Sequence, residues 1–221
     1  MLANLWSCDN DANKIYQHTD ASSSITTCFS SPSTTPTGMT FDGTNIWSCD
    51  YGASKIYQQC GITSSVNTCF ASPGDTPYGM AWDGANLWSC DPGTDKIYQH
   101  CTITATINTC FSSPSSYPTG LAHDGTNVWS CDYNSGKIYK HTGNSSSITT
   151  CWDSPGSHPY GLTWDGTNLW HVDSNEDKIY QYTGATSTIL TCFASPSTKP
   201  TGLAWELDAV ASTYCQVIII G

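Results

Sequence analysis

The stretch Pro36-Thr-Gly-Met-Thr-Phe-Asp-Gly-Thr-Asn-Ile-Trp-Ser-Cys-Asp50 decides the fold. Gly38 to Phe41 reads as a short strand, and Asp42-Gly43 is a two-residue hairpin signal. Asn45 to Asp50 alternates as a second strand. A four-residue turn follows, then a third strand at Lys55 to Gln59. Ser65 to Phe70 is the fourth, closed by Ser72-Pro73. Four short strands in about 41 residues make one propeller blade.

The same unit recurs along the chain. Pro36, Pro77, Pro118, Pro159 and Pro200 each open a Pro-Thr/Tyr-Gly-Met/Leu run at an unbroken spacing of 41. Asn4 to Asp9 fits the second-strand slot, so the chain begins inside a blade, and Pro200 to Trp205 supplies the missing first strand from the other end. The expectation is an all-β, five-bladed propeller over residues 1–208 with one blade shared by both termini. Such a closure removes an exposed sheet edge. Residues 209–221 break the repeat and read as a separate β-forming tail.

Gly161-Leu-Thr-Trp-Asp-Gly-Thr-Asn-Leu-Trp170 and the repeated Lys-Ile-Tyr resemble the blades of NHL-repeat and streptogramin-lyase-type propellers. The resemblance runs to about residue 206 and implies the blade type. It implies no activity, because one propeller scaffold hosts binding proteins, enzymes and structural parts alike. The cysteines and the lack of arginine depart from those families, and no lyase-type set of His and Glu stands in the chain.

Composition narrows the function classes. Seven basic residues, all lysine, face 18 acidic ones, for a formal net charge of -11. Nucleic acids and anionic lipid surfaces need clustered Lys and Arg, so both are excluded as partners. No run approaches the ~18 apolar residues that span a bilayer. The start, Met1-Leu-Ala-Asn-Leu-Trp6, has no leader pattern.

Several constellations are candidates for chemistry. Asp9, Asp50, Asp91, Asp132 and Asp173 end the second strands, across a turn from Lys14, Lys55, Lys96, Lys137 and Lys178. Cross-strand ion pairs are expected there. Asp11, Gly52, Gly93, Asn134 and Asn175 within those turns are of the types that tolerate positive φ. Asp9, Asp11, Asp173, Asn175 and Asp177 alternate as the oxygens of a calcium loop do, but each turn offers about three of the six to eight ligands required. No other cofactor is indicated. His18, Gln59, His100, His141 and Tyr182 share one slot that suits a polar position on a half-exposed strand. His123 replaces an aromatic (Phe41, Trp82, Trp164, Trp205) on a first strand, expected near the axis, and His171 replaces a serine. No Ser-His-Asp arrangement emerges, which reads as a non-enzyme. Trp6, Trp47, Trp88, Trp129 and Trp170 are candidate sugar-stacking platforms, weighed against inter-blade core, as are the repeated tyrosines.

Twelve cysteines with no CxxC pair point to disulfides and an extracellular or cell-surface location. Pairing across adjacent blades would join Cys28 to Cys49, Cys69 to Cys90, Cys110 to Cys131 and Cys192 to Cys8; a within-blade scheme remains the alternative. Asn144-Ser-Ser146 is a glycosylation sequon. In the tail, Cys215, Val217, Ile218, Ile219 and Ile220 form an apolar strand suited to strand addition on a neighbouring copy. The leading expectation is therefore a non-enzymatic, disulfide-stapled structural protein that self-associates, into filaments where the contacts do not close. A multivalent lectin that binds glycans is the alternative, and a propeller lyase or hydrolase comes third.

Overall fold

The structure, a computed structural model, describes residues 4–206. The expected tail, with Cys215 and Val217 to Ile220, lies outside the described residues. Twenty strands form five antiparallel four-stranded sheets. Four blades run in chain order: β4 (Pro36–Phe41) to β7 (Val66–Ala71), β8 (Met80–Trp82) to β11 (Ile107–Ser112), β12 (Pro118–His123) to β15 (Ile148–Asp153), and β16 (Pro159–Trp164) to β19 (Ile189–Ala194). The fifth sheet has the order β20-β1-β2-β3. There β20 (Pro200–Glu206) pairs with β1 (Asn4–Asp9), Leu5 opposite Trp205 and Trp6 opposite Ala204, and β2 (Lys14–His18) and β3 (Ile25–Ser30) complete the blade. The termini close the ring as expected.

Burial falls from axis to rim. Second strands are buried at all but one end position, third strands are largely buried beyond their leading lysine, and outermost strands are exposed except at the Phe or Trp of each and at the first isoleucine of β3 and β11. The composition follows that gradient, from Ile-Trp and Leu-Trp inside to Thr-Thr and Asn-Thr at the edge. At the axis the first strands come close enough that only glycine fits. A Cβ on Gly79 would lie 2.7 Å from the Gly120 Cα, and one on Gly161 would lie 2.9 Å from the Gly202 Cα.

The first hairpin departs from expectation. It is a four-residue loop, with the Asp42 amide donating to the Asn45 carbonyl at 3.1 Å. Asp42 Oδ1 accepts the amides of Thr44 and Asn45, and Gly43 takes φ +93°. A side chain that satisfies two turn amides replaces the tight two-residue solution. The positive-φ site of the second turn is also two residues later than expected, at Asn13, Ser54, Asp95, Gly136 and Asp177.

The expected Asp–Lys ion pairs are not made. Asp50 is buried and faces inward. Its oxygens accept the Ala53 amide at 2.8 Å and the Thr35 amide at 2.7 Å. Asp9, Asp91, Asp132 and Asp173 do the same, each tying its own turn to the loop that enters the first strand of its blade. A buried carboxylate surrounded by free amides is better satisfied by them than by a lysine that can stay in water. Two of the lysines pair elsewhere, Lys137 with Asp153 at 2.6 Å and Lys178 with Glu176 at 3.5 Å.

The expected disulfides are absent. Cys8, Cys49, Cys90 and Cys131 are buried free thiols, and Cys28, Cys69, Cys110, Cys151 and Cys192 are exposed free thiols. The first set faces the next blade's inner strand, with Cys49 Sγ donating to the Tyr78 carbonyl at 3.0 Å and Cys131 Sγ to that of Tyr160 at 3.3 Å. The second set sits on the outermost strands at the rim. Within a blade the third strand separates the two, so the gap is about 9–10 Å, beyond disulfide reach. Burial pushes the Cys8 and Cys131 thiols up to about 12, which leaves them unreactive. Cys60, which belongs to neither slot, is disulfide-bonded.

Candidate functional site: an aromatic axial mouth

The slot His18, Gln59, His100, His141 and Tyr182 is fully buried, not half-exposed. Each histidine accepts or shares a proton with a buried serine across the hairpin, His100 Nε2 with Ser89 Oγ at 2.9 Å, and holds a loop carbonyl through Nδ1. In one blade Gln59 takes that place against Ser48. In another both partners change: His171 replaces the serine and Tyr182 the histidine, and the two meet at 3.1 Å. Burial holds His100 down to about 4 and His171 down to about 3, so both are neutral at pH 7. The pairs are sealed from solvent and serve to lock the hairpins.

Trp6, Trp47, Trp88, Trp129 and Trp170 are no platforms, for all five are at most 2% exposed. They fill the gaps between blades, each within reach of a Phe or Trp on its own outermost strand, as Trp47 is of Phe70 at 6.2 Å. Their indole N–H groups are held by Asp42, Asp83, Asp124, Asp165 and Glu206 at 2.7 to 2.9 Å. The four aspartates are the Asp of each Asp-Gly, so in those blades one carboxylate organises both the turn and the core indole.

The two candidate calcium loops come together beside one another. Burial first, then Asp9, Asp173 and Asp11, raise the carboxyl of Asp177. The Asp9 and Asp173 oxygens are taken by backbone amides, and Asp11 pairs with Lys199 at 3.5 Å. The Asn175 backbone amide donates to Asp173 Oδ1 at 2.9 Å. Among the described residues no group of three or more His, Cys, Asp or Glu is placed to hold a metal.

A site that the repeat alone does not announce lies on the axis. The last aromatic position of each first strand delivers Phe41, Trp82, His123, Trp164 and Trp205 to one mouth, around a cavity of about 360 Å³. Trp82, His123, Trp164 and Trp205 are half-buried. The positions just before them are small (Thr40, Ala81, Ala122, Thr163), which leaves the space. Among the described residues the charged side chains of the lining are Asp83 and Asp124, whose oxygens are held by Trp88 and Trp129. Those hydrogen bonds outweigh burial, which alone would raise it, and hold Asp124 down to about 2.

At the opposite end the axis is plugged. The residue after each repeat proline reads Thr37, Tyr78, Thr119, Tyr160, Thr201 around the ring. Tyr78 and Tyr160 come from non-adjacent blades and meet at 5.9 Å, with Tyr117 5.7 Å from Tyr78. The threonines take little room and donate to the next blade's carbonyl, Thr37 to Pro77 at 2.7 Å. Five tyrosines would not fit on one axis; two fill it, and three threonines make space for them. Asn144, the sequon residue, is exposed and lies at the aromatic mouth, 3.3 Å from His123 Nε2.

No protein-family model and no curated protein matches the chain. Solved structures do. A chain of a nidogen/laminin complex is 15% identical with a TM-score of 0.63, over 93% of this chain and 98% of that one. The glutaminyl cyclase of Myxococcus xanthus is 10% identical with a TM-score of 0.61, over 76% of this chain and 69% of that one. A catalytically inactive variant of virginiamycin B lyase from Staphylococcus aureus, solved with quinupristin, is 22% identical with a TM-score of 0.52, over 86% of this chain and 66% of that one. At 22% identity or below, these neighbours share the propeller fold with the chain, which spans about two thirds of the lyase and cyclase chains and nearly all of the chain from the nidogen/laminin complex.

Proposed function

We propose that the protein is a non-enzymatic binding module that takes a neutral ring-shaped ligand, in the first place a carbohydrate, at its aromatic axial mouth. The convergence of Phe41, Trp82, His123, Trp164 and Trp205 on one plugged cavity carries this reading. Its size falls within the roughly 300–1,000 Å³ of small-ligand pockets. Aromatic faces suit the apolar face of a sugar. Among the described residues the lining has no free cation, and the chain's net charge of -11 repels anions, which disfavours phosphates and nucleotides. The repeated tryptophans are core and form no sugar clefts, and the axial mouth takes their place.

Titration of tryptophan fluorescence with neutral trisaccharides tests the reading. Binding that disappears in Trp82→Ala and Trp164→Ala supports it. Silence across the panel, or binding indifferent to both substitutions, defeats it.

Self-association is a second reading, supported by the rim. Five outermost strands carry free, exposed thiols and exposed apolar residues such as Val66, Ile189 and Leu190. Unpaired strand edges of this kind favour association, and the nidogen/laminin neighbour is a propeller solved with a protein partner. Light scattering after size exclusion decides it: a large species supports assembly, and a clean monomer of 23.8 kDa removes it.

A further inference from the structure

One blade departs from the others at positions that the fold brings together on the axial mouth. In four blades the mouth residue is aromatic and its partner position in the loop after the third strand is apolar: Trp205 with Ala21, Phe41 with Ile62, Trp82 with Ile103, and Trp164 with Ala185. Trp205 and Ala21 share one apolar cluster, as Trp164 and Ala185 share another. In the blade of β12 to β15 both members change, to His123 and Asn144, and they are joined at 3.3 Å. Nearby, Lys140 stands where the other blades have glutamine, its Nζ 3.2 Å from Asp124 Oδ2 and 5.0 Å from the centre of the Trp129 ring. Paired replacement makes one polar sector in an otherwise aromatic ring.

The tautomer of His123 follows from its contacts. The Gly125 amide donates to Nδ1 at 3.1 Å, so Nδ1 carries no proton in the neutral ring and Nε2 does. Nε2–H therefore donates to Asn144 Oδ1. That bond is long, and Asn144 is exposed, so a ligand oxygen can take the acceptor's place.

Building on the axial reading, we propose that His123 is the specificity-determining residue of this mouth. It selects a ring that presents an acceptor oxygen at one edge, a sugar hydroxyl or acetamido carbonyl, over a plain aromatic ring of similar size, while Trp82 and Trp164 hold the apolar face. A site built to hydrogen-bond a substrate group discriminates against analogues lacking it; here such an analogue leaves the His123 donor with only its long bond to the exposed Asn144.

The test compares wild type, His123→Trp, His123→Gln and Trp164→Ala, each titrated with chitotriose, cellotriose, mannotriose and indole. Three other blades carry tryptophan at this position, so His123→Trp suits the scaffold. Its circular dichroism and melting are checked, and His123→Phe replaces it if it does not fold. The expected result is a roughly 10-fold loss of the best trisaccharide in His123→Trp, the size of one net hydrogen bond, with indole held as well or better. His123→Gln, which keeps a donor, should stay within about threefold, and Trp164→Ala should lose both kinds of probe. Undiminished trisaccharide binding by His123→Trp, with Trp164→Ala still inactive, overturns the role of His123 and leaves the binding site standing. A wild-type protein that binds none of the trisaccharides, or a Trp164→Ala variant that binds as wild type does, overturns both.

Discussion

The Glu206 carboxylate accepts the indole N–H of Trp6 at 2.8 Å, joining two residues 200 positions apart across the closure of the ring. The other four blades use the aspartate of Asp-Gly for this bond. Glu206 also takes up the side-chain amides of Asn4 at 3.1 Å and Gln17 at 3.3 Å, as Asp83 does those of Asn86 and Gln99. One longer acid thus reproduces the side-chain part of this network where β1 and β20 meet.

Glu206→Ala should therefore destabilise the protein by about 1–3 kcal/mol, the cost of leaving a buried donor unpaired. Denaturant midpoints measured by tryptophan fluorescence check this. Because the same bond fastens the ring, Glu206→Ala should lose at least as much as Asp165→Ala; equal stability to wild type would mean that strand pairing alone closes the propeller.

The buried histidines predict acid lability with a definite sign. Burial lowers His18, His100 and His141 below their ordinary range, and the native state refuses protons that an unfolded histidine takes up near pH 6.5. Stability should be insensitive to these groups above about pH 6.5 and fall as pH drops from there towards about 4, where His100 titrates. Replacing all three with Gln, the residue that Gln59 already places in this slot, should flatten the slope between pH 6.5 and 4 in urea melts. An unchanged slope would assign the acid sensitivity to the carboxylates.

Glycines at the axis and in the hairpin loops should respond differently to alanine. Gly79→Ala forces a methyl against the Gly120 backbone and should cost about 2–3 kcal/mol, because neither strand can yield. Gly84→Ala meets nothing within 4 Å but must hold φ +97°, so about 1–2 kcal/mol is expected. Thermal melts of the two variants should rank them in that order.

Thiol chemistry should separate the two cysteine slots. In the native protein Cys28, Cys69, Cys101, Cys110, Cys151 and Cys192 should react with iodoacetamide, while Cys8, Cys49, Cys90 and Cys131 should react only after denaturation. Peptide mass spectrometry reads each site. Protection of Cys28, Cys69, Cys110 and Cys192 that reducing agent releases would restore the staple.

The repeat of 41 residues, the four strands of each blade and the sharing of one blade by Asn4–Asp9 and Pro200–Glu206 were all legible in the sequence, because turn residues and strand alternation are local signals that recur in register. So was the position of His123 near the axis. The partners of the repeated polar residues were not. Asp50 and Lys55 oppose one another in the hairpin register, yet the aspartate turns inward to amides of the preceding loop, which only the entry angle of that loop brings near. Cys28 and Cys49 sit in slots that look equivalent along the chain but differ in depth, one at the rim and one facing the next blade. The axial mouth arose the same way, since its five residues lie 41 apart in sequence and meet only when five blades close a ring. Periodicity specifies each blade, whereas burial, pairing and the site depend on radial position, which exists only once the blades are packed.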